Sequence, residues 1–454
     1  MNKNKVSLLF YGLLILSKIT CSFAAVSESE AAKLGTSLTP IGAEKLGNAD
    51  GTIPAYSGGL AADAAKVDEK GFMADPYAGE EPLFIIDAKN IVNYKDKLTP
   101  GELAMLARYP DYTIPVYKTH RSIGYPSKVL DAIKFNATHA KLIADGNGIE
   151  NFQQAIPFPI PQNALEIVWN HITRYRGGSF SRTVAQIATQ VNGAFTPIIF
   201  DEKFTFRDQL KDYDPNKIGN VLSFYRQEIT SPPRLAGQVT LVHETLNQVL
   251  EPRRAWVYNA GQRRVRRAPD VAYDSPGTAA DGLRTADNLD MFNGAPDRYD
   301  WKIVGKKEVY IPYNSYRLAS PSITYSNVIS PGHINQKYAR YELHRVWQVV
   351  ATLKPNARHI YQKRDLYLDE DSWQIVELDH YDTQGKLWRV AESHSIYYFN
   401  KQVPNTAMDV LYDLQSGRYL AMNLRNEQPT DMNFAYLGSE ADFSTGALRT
   451  SGLR

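Results

Sequence analysis

The chain has 454 residues, with 51 lysines and arginines against 49 aspartates and glutamates, a formal charge of +2. A general nucleic-acid binder carries a basic excess, which this balance excludes. With 43% hydrophobic residues and no low-complexity tract, the chain is globular rather than disordered, and its length suggests two or three domains.

The N-terminus sets the compartment. Lys3 and Lys5 precede an apolar run from Val6 to Leu16, and Ser22-Phe23-Ala24 follows as a small-x-small site. This is the three-part layout of a secretory signal peptide, with cleavage near Ala24. The run is shorter than the ~20 residues that span a bilayer. Cys21 is the single cysteine, and Lys18 and Thr20 stand where lipidation requires apolar and small residues. Cleavage removes that thiol, so the mature chain is held by an ordinary core, without disulfides. It also removes Lys3, Lys5 and Lys18, taking the formal charge from +2 to −1. These features predict a protein of a bacterial periplasm.

Residues 25–176 read as a loop-rich arm followed by helices. Thr99-Pro100-Gly101-Glu102 combines a cap, a proline at the first helical position and a capping box. Ser127 to Ile143 is a second expected helix. Asn163-Ala164-Leu165-Glu166 opens a third, with Ile167, Val168 and Ile172 on one apolar face.

From about Gly178 the period changes to two. Ser181 to Val191 and Ala194 to Phe200 flank Asn192-Gly193, a hairpin turn signal. Leu222 to Thr230 and Gln238 to Leu246 form the next pair. Lys306 to Tyr313 and Tyr341 to Leu353 are further strands, and Arg358 to Leu368, Trp373 to Asp382 and Leu387 to Tyr398 read as a meander. Consecutive strands with short links give an antiparallel sheet. The expectation is α+β: one large curved antiparallel sheet, an incomplete half-barrel over 177–400, wrapped over the helices of 25–176. Residues 401–454 read as a C-terminal extension.

Arg253 to Pro269, "RRAWVYNAGQRRVRRAP", packs six arginines into one hairpin without an acid. With a turn at Asn259 to Gln262, Tyr258 faces Arg263, Trp256 faces Val265 and Arg254 faces Arg267. Alternation puts these on one face and Arg253, Ala255, Val257, Arg264 and Arg266 on the other. Like charges so close need anions. Either Glu244, Glu251, Asp270 and Asp274 supply them, or an external anion does: a lipid headgroup, a fatty-acid carboxylate or an acidic partner surface. Arg254, Arg263, Arg264, Arg266 and Arg267 are therefore candidate anion-binding residues. Trp256, Tyr258, Trp347, Tyr361, Trp373 and Trp388 are candidates to line a cavity, or else to fill the core.

The motifs of serine hydrolases, zinc proteases, P-loops and dinucleotide folds are missing, and neither an enzyme nor a cofactor is expected. His380, Asp382 and His394 fall on adjacent strands but lack the three or four convergent ligands of a metal site. Asp369-Glu370-Asp371 reads as a solvated acidic turn. Asp281 to Asp300 is a long loop, expected as a lid, a docking surface or packing on the sheet rim.

The hairpin and the segment "RHIYQKRDLYLDEDSWQIVELDHYDTQGKLWRV" resemble the periplasmic lipoprotein-sorting LolA/LolB superfamily over roughly Ser181 to Tyr398. Over nearly the whole chain, "LTPIGAEKLGNADGTIPAYSGGL", "PFPIPQNALEIVWNHITRYRG" and "YELHRVWQVVATLKPNARHIY" are similar to the family known as domain of unknown function 1329. The resemblance implies an incomplete barrel over helices whose interior shelters an apolar molecule such as a lipid. It also implies an envelope transport role beside RND-type exporters and an outer-membrane protein. The alternative is an adaptor docking to those partners, its cavity filled by its own side chains.

Overall fold

The computed structural model describes residues 25–451 apart from 218, 269, 270 and 272. The expected signal peptide and Cys21 lie outside the described residues. The strands are β1 (Phe84–Ile86), β2 (Ile114–Val116), β3 (Lys141–Ile143), β4 (Gly148–Glu150), β5 (Ser179–Ala188), β6 (Ile198–Phe206), β7 (Val221–Ser231), β8 (Val239–Thr245), β9 (Arg254–Asn259) and β10 (Arg264–Arg267). They continue with β11 (Tyr299–Pro312), β12 (Tyr341–Leu353), β13 (Lys363–Asp369), β14 (Ile375–Tyr381), β15 (Leu387–Tyr398), β16 (Val403–Asp413) and β17 (Tyr419–Leu424). The helices are α1 (Glu28–Ala31), α2 (Pro100–Arg108), α3 (Ser127–His139), α4 (Ala164–Thr173), α5 (Tyr325–Val328) and α6 (Thr445–Ser451).

Fifteen of the strands form one open sheet. The chain runs outward from β5 to β10, crosses to the far edge at β11, and returns strand by strand to β17, which pairs with β5. Every pairing is antiparallel except the contact of β2 with the start of β12, at Val116 and Tyr341. β10 and β11 are the two edges of the long run, and they are consecutive in sequence. β11 also meets β14 and β15, so that half of the sheet curls over on itself. The architecture is thus an α+β incomplete barrel, as expected. The sheet does not stop at residue 400: β16 and β17 lie at its centre, joining the two halves.

The helices form where their caps predict. The Thr99 side chain accepts from the Glu102 N–H and Glu102 accepts from the Thr99 N–H. Asn163 caps α4 through the Glu166 N–H. α3 ends at His139, short of Ile143, because Asp145-Gly146-Asn147-Gly148 turns the chain and pairs β3 with β4. α2 lies on β14 and β15, and α4 reaches β11. α6 covers the other face of β8, β9 and β10, where Phe443 and Leu448 pack with Leu241 and Tyr258.

The contact of α2 with the sheet buries a group of acids. Gly101 donates its N–H to Asp379 at 3.1 Å, and a Cβ on Gly101 would lie 2.1 Å from the other Asp379 oxygen. Glu102, Glu377, Asp379 and Glu392 are all buried. Glu377 and Glu392 are directly opposed on β14 and β15. Tyr112 and Tyr341 donate to Glu392 at 2.6 and 3.0 Å. Burial, reinforced by Asp365, pushes the Asp379 carboxyl up to about 8. Burial and the neighbouring carboxylates push Glu102 and Glu377 well above the usual range. Such acids are protonated in the folded chain and ionised in the unfolded one, so stability is lost as pH rises toward the folded values. Buried His171, His359 and His380 have lowered values and are neutral in the fold; their unfolded forms lose their protons around pH ~6.5, so above pH ~7.5 they no longer oppose this. The melting temperature should therefore fall between pH ~7.5 and ~8.5, by ~2 °C or more. Asp379→Asn, which can still accept from Gly101, should make that fall smaller; an equal fall in the variant would contradict the assignment.

Candidate functional site

A cavity of about 130 Å³ lies between one face of β5 to β8 and the segment that crosses from β10 to β11. Alternation brings Phe180 and Arg182 of β5, Phe204 of β6, Tyr225 and Gln227 of β7, and Thr240, Val242 and Glu244 of β8 to this face. Leu222 joins them because the register shifts between Val221 and Ser223. Ile172 of α4, with Arg174 and Arg176 just beyond it, closes one end. Arg253, Arg284, Leu289, Asp290 and Asn293 complete the lining.

The crossing segment is a fixed wall. Gln186 donates to the carbonyls of Thr278 and Ala279 at 3.0 and 2.7 Å. Asp287 takes a 2.7 Å ion pair from Arg364, and His359 lies 3.2 Å away. The Asn288 side chain bonds His380 at 3.0 Å. His171 is buried and its imidazole is pulled down to about 3, with burial the main cause. In the neutral tautomer that satisfies both contacts, Nε2 donates to the Asp290 carbonyl at 2.8 Å and Nδ1 accepts from the Ile375 N–H at 3.1 Å. This histidine ties α4 to both the wall and the sheet.

Among the described residues the charges in the cavity do not balance. Five arginines line it: Arg174, Arg176, Arg182, Arg253 and Arg284. Three carboxylates answer them. Asp290 bridges Arg174 and Arg176; Glu202 pairs with Arg182 at 2.7 Å; and Glu244 pairs with Arg253 at 2.8 Å. Arg284 is 6% exposed and, among the described residues, has no carboxylate within ion-pair distance. Its guanidinium bonds the Thr285 carbonyl at 3.2 Å and lies against Gly277, where a Cβ would stand 2.6 Å from Cζ. Burial pulls the Arg284 guanidinium below its usual range and Arg176 down to about 10. Burial opposes ionisation of Asp290 as well, but Arg174 and Arg176 hold its carboxyl well below the usual range. The interior therefore has phenyl and aliphatic walls and an excess of buried positive charge, which an anionic group would neutralise.

A larger trough of about 470 Å³ adjoins the cavity, and Leu222 lines both. Val129 and Ala132 of α3, Phe152, Tyr175, Phe206 and Leu246 give it apolar walls, with Lys128, Arg207 and Asp208 among its polar groups. Its volume falls in the ~300–1,000 Å³ range of small-molecule sites, whereas the cavity alone holds little more than a headgroup.

The residues singled out from sequence lie elsewhere. The hairpin forms with its turn at residues 260–263: Arg264 faces Asn259, Val265 faces Tyr258 and Arg267 faces Trp256. The pairing is shifted by two residues from the expected register, which leaves the division of faces unchanged. Arg253 pairs with Glu244, and Arg254 with Glu251 at 3.4 Å; Asp274 pairs instead with Arg298, and Asp270 lies outside the described residues. Arg263, Arg264, Arg266 and Arg267 are exposed on the edge strand and its turn, outside the cavity.

None of the six aromatic candidates lines this cavity. Trp256 and Tyr258 pack under α6. Tyr361 and Trp373 are fully buried; Tyr361 accepts from Arg389 at 2.8 Å and Trp373 donates to the Ile41 carbonyl. Trp347 stacks on Trp373, and Trp388 donates to Asp413 at 3.0 Å. These side chains fill the core beneath the arm and the sheet edge. Residues 174–182 supply three of the five cavity arginines, and their spacing in "RYRGGSFSR" is the local signal that the sequence carries for this site.

One further expectation changes. The acidic turn is buried, not solvated: Asp369 is 0% and Asp371 2% exposed. The N-terminal arm covers it, and Arg121 clasps Asp371 through two bonds of 2.7 Å, while Lys306 and Arg345 answer Glu370. His344, Asp369 and Asp371 bring ligand atoms within 4.8 Å of one another, but Arg121 already occupies Asp371, so the arrangement is a salt-bridge network. His380 and His394 do not converge: His380 faces Arg389 on β15, and His394 bonds neither it nor Asp382 but lies 3.4 Å from Glu392.

The Asp290 bridge is the test of this geometry. Asp290→Asn leaves buried Arg174 and half-buried Arg176 without a counter-charge, and should cost about 2–3 kcal/mol in chemical denaturation. A loss below ~1 kcal/mol would mean that the two arginines reach solvent.

Comparison with known proteins places the chain. A family described as protein of unknown function DUF1329 matches residues 85–449. The uncharacterized protein PA3922 of Pseudomonas aeruginosa is 64% identical over 449 residues, covering 98% of this chain and 99% of that one. Among solved structures, a DUF1329 family protein from Desulfovibrio piger gives a TM-score of 0.41 at 13% identity, covering 60% of this chain and 92% of that one. The LolA superfamily protein NE2245 from Nitrosomonas europaea gives 0.39 at 12% identity, covering 63% and 100%. By its family match and its near full-length relative, this chain belongs to the DUF1329 family.

Proposed function

We propose that this protein binds an anionic amphiphile, such as a fatty acid or another lipid with an acidic headgroup, and passes it between components of the cell envelope. The observation that carries this reading is Arg284: a buried guanidinium without a described carboxylate partner, in a cavity walled by Phe180, Phe204 and Leu222. The headgroup sits at Arg284 and the tail runs past Leu222 into the adjoining trough. The protein acts in the periplasm, where the layout of Lys3 to Ala24 directs it. Among the described residues no helix is long and apolar enough to cross a membrane. The protein works as a binder rather than as an enzyme, without a cofactor.

One observation favours the adaptor reading. The interior beside β12 to β15 is filled by the protein's own Tyr361 and Trp373. An adaptor would dock to an RND-type exporter or an outer-membrane protein and hold no ligand.

Three measurements separate these. Organic extraction of the purified protein followed by mass spectrometry should release an anionic lipid. A fluorescent fatty acid should bind with about tenfold lower affinity to Arg284→Met, which keeps an unbranched apolar stem and removes the charge. An empty extract together with no uptake of the probe would sink the carrier reading, and in-cell cross-linking that captures only a protein would support the adaptor.

A further inference from the structure

β10 is the last strand of its half of the sheet, bonded on one side only, to β9. Arg263, Arg264, Arg266 and Arg267 are all exposed along it and its turn. Among the described residues none of the four has an ion pair, whereas Arg253 and Arg254 at the base of the hairpin do. A charged edge strand guards a sheet against pairing with another chain. Such a guard does not call for bulky apolar side chains in the open, yet Val249 and Leu250, in the turn into β9 at the base of the hairpin, are 60% and 75% exposed. Cations flanking exposed aliphatic side chains match a bilayer surface, where phosphates lie above hydrocarbon.

The two faces of the hairpin are not equivalent. Trp256, Tyr258 and Val265 turn inward under α6. Arg264 and Arg266 share the opposite face with Arg253, Thr240 and Val242, which is the face that lines the cavity. A row of guanidinium groups thus runs along one face from the open sheet edge to the cavity wall at Arg253. The crossing segment reaches the same cavity at Val271, directly after the hairpin.

We propose that the β9–β10 hairpin docks the protein on an anionic phospholipid bilayer, with Arg263, Arg264, Arg266 and Arg267 on headgroup phosphates and Val249 and Leu250 at the acyl boundary. The docked edge then presents the arginine-lined face to the membrane. Docking does not require an occupied cavity, so it stands or falls separately from ligand carriage.

Vesicle flotation tests this with the purified full chain. Vesicles of phosphatidylcholine with about 30% phosphatidylglycerol should retain the protein. Pure phosphatidylcholine should retain it at least ~10-fold less, and salt raised from 50 to 500 mM should release it. Replacing the four arginines by serine should lower binding about tenfold or more, and Leu250→Asp should weaken it separately. Arg284→Met should bind vesicles like the unaltered protein, while the four-serine variant should still bind the fluorescent fatty acid in solution. Equal retention on both vesicle types, or by the four-serine variant, overturns the proposal. So does a failure to bind either vesicle while a cross-linker at position 264 captures an acidic envelope protein.

Discussion

The pairing of β17 with β5 is the constraint on which the molecule depends. Leu420, Ala421 and Leu424 face Ala188, Ile187 and Ala185, and all six are buried or nearly so. This seam joins the two halves of the sheet, each built from consecutive antiparallel strands. It also puts the free edges at β10 and β11, which are adjacent in the chain. The segment between them must cross the open side, and that crossing makes the wall of the cavity. Without the seam, Asn423 and Thr406 would not stand beside Arg182 at the cavity floor.

Burial of charge divides the interior into two regions of opposite character. Under α2, carboxyl groups are packed with few cations, and desolvation keeps several of them neutral. On the β5–β8 face, arginines outnumber their carboxylates. An arginine cannot answer burial by losing its proton, so it needs an anion or water. The acid-rich region is therefore satisfied by protonation within the fold, while the arginine-rich region retains a demand for negative charge. That asymmetry is why the cavity, and not the acid cluster, is the binding site argued for.

Much of the secondary structure was legible because it is local. The capping box at Thr99 to Glu102 and the Asn163 cap fixed where α2 and α4 begin, and Tyr341 to Leu353 and Leu387 to Tyr398 alternate cleanly enough to bound their strands. β16 and β17 carry no comparable local sign, because the short-linked meander ends at Tyr398. Nothing local shows that Leu420 will pair with Ala188, more than two hundred residues earlier. The acidic turn was misread for the same reason: Arg121, its partner, is 250 residues away from Asp371. In the arginine hairpin, alternation divides the side chains between faces correctly, but a left-handed Arg263 (φ +50°) falls inside the turn, which sits one residue later and moves the register by two.

By itself the sequence determined the family, the period of each element, the helix starts and the concentration of arginine in one hairpin, because these depend on neighbours along the chain. Only the tertiary structure decided which arginines face a cavity. Arg174, Arg176 and Arg182 come from one short stretch, but Arg253 and Arg284 come from two others, and the match between each guanidinium and a carboxylate is a matter of distance in space. Coulomb interaction and desolvation act through that distance, so Arg284, the cavity arginine without a carboxylate partner among the described residues, stands out only once the sheet is folded.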